Sequence, residues 1–220
     1  MAKSRHPKAN SQQSQASSLG FEPSPAIRAL VRLWLTDQEA KDIYQQFQKS
    51  FIRNCQVLWS GMHRAQAQGW ADKRNLQTLT TALGPLLDPS SPDCPHHPKS
   101  HSGWIRYIHG ASVIFAWYIS QGDTVTVLSQ PPPQRFHPSG KTYYQTIEEP
   151  IIQGKMGNKP VKKIIVVHPS VGGKAEDFKY EMWPQDEVYV WTKAFGIRKI
   201  VIHWRPVQGE KSTKSPKSQR

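Results

Sequence analysis

The 220-residue chain carries 29 Lys and Arg against 16 Asp and Glu, a formal charge of +13, with 37% apolar residues and 18 prolines. A chain of this length buries enough surface to need no disulfide support, and two cysteines, Cys55 and Cys94, exclude a disulfide-scaffolded secreted class and suit a reducing, cytoplasmic setting. The cation excess favours a polyanionic partner, and the lack of any run of about 18 apolar residues excludes a membrane-spanning helix.

The opening MAKSRHPKANSQQSQASS lacks the apolar core of a secretory signal; it is basic and Ser-rich like a transit peptide, but Gln-rich and without an arginine face. Residues 1–22 and 209–220 are polar and basic, and are expected to be disordered tails. They account for +2 and +3 of the charge, which leaves +8 on the part between them. The basicity therefore belongs to the folded region.

That region opens with a short amphipathic helix, capped by Ser24, with Pro25 in its first turn and Ile27, Leu30, Val31, Trp34 and Leu35 at helical spacing. Thr36-Asp37-Gln38-Glu39 reads as a capping box. It opens a long second helix whose stripe runs Ala40, Ile43, Tyr44, Phe47, Phe51, Cys55, Leu58, Trp59 and Met62, ending near Gly69. Leucines 76, 79, 83, 86 and 87 predict a third helix over 72–87. The four prolines of DPSSPDCPHHPKSHSG, residues 88–103, exclude a regular element.

The period then changes. Trp104–His109, Ala111–Ser120 and Thr124–Gln130 read as strands, the last two joined by a Gln121-Gly122-Asp123 turn as an antiparallel hairpin. After about 145, Lys162–His168, Glu187–Thr192 and Arg198–Trp204 read as strands. The class expected is α+β: residues 23–144 as N-terminal helices packed on an antiparallel sheet, then a strand-rich region over 145–208. Whether both β stretches share one sheet is not legible at this level.

Four constellations bear on chemistry. Cys94, His96, His97 and His101 offer zinc donors, but C-x-H-H-x3-H matches no established spacing, and a polar proline-rich loop ranks ahead as the reading. Val171-Gly172-Gly173-Lys174 lacks the first glycine and the Ser/Thr of a P-loop, though with Ser170 it is able to hold one phosphate. Asp177, Glu181, Asp186 and Glu187 near Lys179 and Lys193 show no compact metal-nuclease spacing. The stretch Gln134–Tyr144 places Arg135, His137, Lys141 and Tyr143 together after the predicted hairpin. His and Tyr are able to move protons there, and Arg and Lys to stabilise phosphorane charge, so metal-free RNA cleavage is one reading and backbone contact without chemistry the other. Lys162, Lys163, Lys174, Arg198, Lys199 and Arg205 are candidate phosphate contacts.

Ile105-Arg106, His109-Gly110, Val113–Tyr118, Gly122-Asp123 and Thr124–Leu128, following two helices, resemble the RelE/ParE toxin superfamily over roughly residues 38–144. The resemblance implies a helical hairpin on an antiparallel sheet, Arg106 on a ribosome-facing surface, and Arg135, His137 and Tyr143 where ribonuclease members carry basic and aromatic residues. It also implies a metal- and cofactor-independent endoribonuclease toxin acting on RNA or ribosome-bound mRNA, with a small antitoxin as partner. With Arg106 and Lys141 added, these residues form the candidate catalytic set. The alternative is a non-catalytic nucleic-acid-binding protein of a plasmid or mobile element, or a ribonucleoprotein scaffold; RNA ranks ahead of DNA, and no membrane role is expected.

Overall fold

The computed structural model describes residues 22–197 and Trp204. The predicted tails, apart from Glu22, and the predicted strand Arg198–Trp204, apart from Trp204, lie outside the described residues.

The first helix forms as its caps require. In α1, Pro25–Trp34, the Ser24 hydroxyl accepts the Ile27 N–H at 3.2 Å, and Ile27 and Val31 are buried. In α2, Asp37–Ser50, the capping box closes both ways: Thr36 Oγ1 accepts the Glu39 N–H at 3.2 Å and the Glu39 carboxylate accepts the Thr36 N–H at 2.8 Å.

The predicted long helix stops there. Gln77 Nε2 donates to the Ser50 carbonyl at 2.6 Å and Gln77 Oε1 accepts the Ile52 N–H at 2.8 Å, so a side chain from elsewhere in the chain satisfies the helix end. Asn54 then takes a left-handed φ of 64°, and β1, Val57–Trp59, begins. Leu58 and Met62 continue the stripe numerically, but they face opposite sides of a sheet: Leu58 joins the main core, while Val57 and Met62 join a second cluster with Ala67, Trp70 and Ala71. The latter three belong to α3, Arg64–Asp72, which covers that side. The predicted helix over 72–87 is confined to α4, Leu79–Leu83, and a 3-10 turn, Gly84–Leu87.

The largest departure is α5, His101–Ser120, one helix where two strands were expected. Ser100 caps it by accepting the Gly103 N–H at 3.2 Å. Val113 through Trp117 are all buried, so the second half of the helix is buried around its circumference and shows no 3.6-residue period. Its β-branched and aromatic residues then read as strand by propensity alone, a preference that tertiary packing overrides. The residues carrying the RelE/ParE resemblance from Ile105 to Tyr118 therefore share this helix, Arg106 included. Among the described residues no helix is long and apolar enough to cross a membrane.

Gly110 is the close-approach point of α5 on the α1 side. A Cβ there would lie 2.2 Å from Leu35 Cγ, at the end of α1. Gln121 and Gly122 turn the chain into β2, Thr124–Leu128, and the Asn54 Oδ1 accepts the Asp123 and Thr124 N–H groups at 2.7 and 3.2 Å.

The protein is α+β, with seven helices and a mixed four-stranded sheet of order β1-β2-β3-β4 among the described residues. The sheet is not the antiparallel one expected. β3, Lys163–Val167, runs parallel to β2, and β2 parallel to β1; β4, Tyr180–Trp183, alone is antiparallel, against β3. The segments before and after residue 145 thus share one sheet. A π-helical turn, Tyr144–Glu148, and α6, Glu149–Ile152, lie on the crossover from β2 to β3. Pro150 has no N–H to give to the Thr146 carbonyl, so an ordinary α pattern cannot run through it. The predicted strand Glu187–Thr192 is α7, Val188–Phe195, which buries Trp191 and leaves Tyr189 exposed.

Gly110→Ala gains about 1 kcal/mol of helix propensity and loses about 1–3 kcal/mol to overpacking against Leu35. A thermal melt should show a lower Tm. Gly69→Ala in α3, where a Cβ meets nothing within 4 Å, should raise it; the same sign for both would refute the close crossing.

Candidate functional site

The three parallel strands each end on a polar residue. The ladder runs past β1 to Ser60, whose N–H donates to Leu128 O at 2.9 Å, and past β2 to Ser129, whose N–H donates to Val167 O at 3.1 Å; His168 follows β3. Loops at the carboxyl ends of parallel strands are the usual ligand positions of such sheets. Gln130 ties the three loops together: its Nε2 donates to Gly61 O at 2.8 Å, and its Oε1 accepts the Ser170 hydroxyl at 3.0 Å.

A cavity of about 300 Å³ opens beside the end of β1. Trp59 and Ser60 line it from the strand, Ile108 and Ser112 from α5, and Tyr144 and Glu148 from the π turn. Glu148 is 7% exposed and has no ion-pair partner among the described residues. Burial pushes its carboxyl up to about 7, opposed only by a hydrogen bond with Ser112. Tyr144 is buried beside it, and its hydroxyl has no hydrogen-bond partner among the described residues. At the mouth, Ser60 Oγ and Thr142 Oγ1 lie 3.3 Å apart. Trp204 packs over Gly61, where a Cβ would lie 2.2 Å from its ring.

Tyr143 forms part of the wall, its ring 4.1 Å from that of His109, which stacks on Trp34 at 4.6 Å. Burial, with Glu148 close by, pushes the Tyr143 phenol up to about 12; burial lowers His109, against a bond to the Ile105 carbonyl. Both are neutral at physiological pH.

The rest of the candidate catalytic set is engaged differently. Arg106 is exposed on α5 and donates to Leu33 O at 2.9 Å. Arg135 forms a two-pronged ion pair with Asp186 and reaches the Tyr180 hydroxyl at 3.4 Å. That hydroxyl meets His168 Nε2 at 2.9 Å. His168 is fully buried, and burial followed by the Arg135 charge lowers it to about 4, against its bond with Ser129 O. His137 is buried, its Nδ1 accepting the Ser139 N–H at 3.1 Å, with the Trp204 ring 5.2 Å away. Lys141 is exposed.

Of the candidate phosphate contacts, Lys162 pairs with Asp123 at 3.1 Å and Lys163 with Glu181 at 2.9 Å. Lys174 is exposed in the loop after β3, beside Gly172 and Gly173, whose φ values of 70° and 56° need glycine. Arg198, Lys199 and Arg205 lie outside the described residues.

The zinc donors do not converge. His96 packs on Trp104, His97 bonds Pro89 O at 2.7 Å, and among the described residues no three His, Cys, Asp or Glu side chains form a metal-binding group. The C-terminal carboxylates are dispersed among cations: Asp177 on Arg74, Glu181 on Lys163, Asp186 on Arg135. Comparison with protein-family models and with curated proteins returned no match for the chain.

Of the residues lining the cavity, Tyr143 belongs to the candidate catalytic set and Tyr144 to the stretch around it, while Glu148, Ser112 and Ser60 were not singled out from the sequence. The available signal was the polar residue closing each apolar strand, and it is visible only once 57–59 is known to be a strand.

Glu148 has a stability consequence. Its folded value of about 7 lies above the ordinary carboxyl value of 4.5, so below about pH 4.5 the carboxyl is protonated in both states and costs nothing. Between about 4.5 and 7 the unfolded chain ionises first and stability falls, by on the order of 3 kcal/mol in all. Glu148→Gln should match the parent protein at pH 4 and exceed its stability at pH 8 in chemical denaturation. An equal difference at both pH values would remove the buried acid from the account.

Proposed function

We propose that the protein binds single-stranded nucleic acid, RNA first, across the carboxyl-end edge of its parallel sheet. The observation that carries this reading is a contrast in charge between the two ends of the sheet. At the amino ends of β2 and β3, Arg53 and Lys162 share Asp123, and Lys163 pairs with Glu181. At the carboxyl ends, each of the three loops carries an exposed cation with no ion-pair partner among the described residues: Arg64 after β1, Lys141 after β2, Lys174 after β3.

Arg64 adds a second argument. It is the first residue of α3, where the helix macrodipole disfavours a cation by about 0.3–1 kcal/mol. An anion at that position relieves both the side chain and the helix end. A chain of phosphates is the ligand that satisfies three such loops at once, and its binding is salt-dependent.

Cleavage is a second reading, favoured by Glu148. A carboxyl with a pKa of about 7 is suited to general acid–base work at physiological pH. On this reading the ribonuclease activity implied by the RelE/ParE resemblance is centred on Glu148 and Tyr143, the member of the original set that lines the cavity.

Binding to a labelled single-stranded RNA, measured against salt, tests the proposal. Arg64→Gln with Lys141→Gln and Lys174→Gln should weaken binding and lower the slope of log K against log salt by about 2, at about 0.7 per phosphate. Lys162→Gln with Lys163→Gln should leave the slope nearly unchanged. Equal losses from both sets would overturn the assignment of the edge, and EDTA-resistant strand scission, lost in Glu148→Gln, would establish cleavage.

A further inference from the structure

We propose that the cavity beside β1 binds a small organic cation, a primary ammonium on a compact apolar body, with the Glu148 carboxylate as its counter-ion. This is a second ligand site, independent of the strand-binding edge. Three observations lead to it.

The first is where the carboxyl stands. Glu148 lines the cavity and keeps 7% of its surface exposed. Ser112, whose hydroxyl bonds the carboxyl, and Tyr143, whose phenol its charge raises, are wall residues too. The Glu148 oxygens are not among the sealed polar atoms left without a partner, as the Tyr144 hydroxyl is. The carboxyl therefore keeps access to the space it lines.

The second is charge. Burial pushes the carboxyl up to about 7, and the Ser112 hydroxyl is what opposes that rise. Attraction between opposite charges is strong where water is scarce, so a cation reaching this carboxylate is held firmly. An ammonium ion supplies the missing charge together with three N–H donors. A neutral ligand leaves the carboxyl protonated and gains no more than a hydrogen bond, and an anion is repelled.

The third is the rest of the wall. Leu58, Met62, Leu79 and Ile108 offer surface for a carbon body, and the Trp59 and Tyr143 rings add aromatic surface, which attracts cations. Ser60 Oγ and Thr142 Oγ1, 3.3 Å apart, are acceptors for N–H groups that Glu148 does not take. A volume of about 300 Å³ is at the lower end of ligand pockets, roughly 300–1,000 Å³. It suits one ring or a short chain.

The proposal carries a pH dependence. The titratable groups facing Glu148 are Tyr143 and Tyr144 of its own segment and, behind Tyr143, His109 of α5. Burial pushes both phenols up, Tyr143 to about 12, and lowers His109. Glu149, also pushed up by burial, lies outside the wall, and β1 and α4 bring no titratable side chain to it among the described residues. Glu148 is therefore the described wall group that changes charge between about pH 6 and 8.

The test is isothermal titration calorimetry of the full-length chain with benzylamine, an ammonium ion throughout this range, and with benzyl alcohol, its neutral isostere. At pH 8 benzylamine should bind roughly tenfold or more tightly than the alcohol. Its affinity should rise roughly tenfold from pH 6 to pH 8, as a carboxyl titrating at about 7 ionises. At pH 6, where the carboxyl must first lose its proton, binding should release nearly one proton to the buffer. Glu148→Gln should remove both the preference for the amine and the pH dependence. Ser112→Ala, which deletes the bond that lowers the carboxyl, should keep the preference and move the midpoint to higher pH.

No binding of benzylamine, equal affinities for amine and alcohol, or an amine affinity flat with pH would each overturn the cation site. Amine binding that keeps its pH profile in Glu148→Gln would place the ammonium elsewhere and refute the assignment.

Discussion

Burial of the second half of one helix holds this molecule together. From Gly110 to Ser120 α5 is packed around its circumference, and the positions of its neighbours follow from what its side chains accept. Gly110 admits Leu35 and so sets the approach of α1. Phe115 and Tyr118 take Phe47 and Phe51 in a cluster of rings with centroids 5.2 to 6.2 Å apart. On the cavity side, Ser112 meets Glu148. A helix exposed on one face would leave the site wall free to move; one gripped on all faces from Gly110 onward holds Ser112 at fixed depth.

The sheet is electrically asymmetric along its strands. Lys162 and Lys163 at its amino end are paired with acids, whereas Arg64, Lys141 and Lys174 in the loops at its carboxyl end have no ion-pair partner among the described residues. The asymmetry is imposed by parallel pairing, which brings three sequence-distant loops to one edge and lets Gln130 tie them together. An antiparallel meander with the same residues would distribute Arg64, Lys141 and Lys174 over both ends. Net charge alone carries no such information, because it is blind to direction.

The cavity is where the fold departs from its own rules of economy. Among the described residues the Glu148 carboxyl is buried without a cation and the Tyr144 hydroxyl without a partner, and a π turn stands where Pro150 interrupts the α pattern. Each costs stability, and the three are clustered around about 300 Å³ of space. Away from the cavity the His168–Tyr180–Arg135–Asp186 chain is paired, while Trp70 Nε1, Trp191 Nε1 and Asn158 Oδ1 have no hydrogen-bond partner among the described residues.

Several features were determined by the sequence alone, and they are those governed by neighbours in the chain. The caps of α1 and α2, the proline-rich loop before α5, and strands β2 and β3 follow from residues within a few positions of one another. The α+β class follows from these. The end of α2 was decided by tertiary structure, because Gln77, distant in sequence, satisfies its carbonyl. So was α5: a stretch of helix buried on all sides has no period to read, and its Val, Ile, Phe and Trp content imitates strand. Tyr143, which lines the cavity, stood out in the sequence because aromatic and basic side chains are adjacent there. Glu148 did not, since its chemistry comes from desolvation, and desolvation belongs to the packing of β1, α5 and the π turn around it.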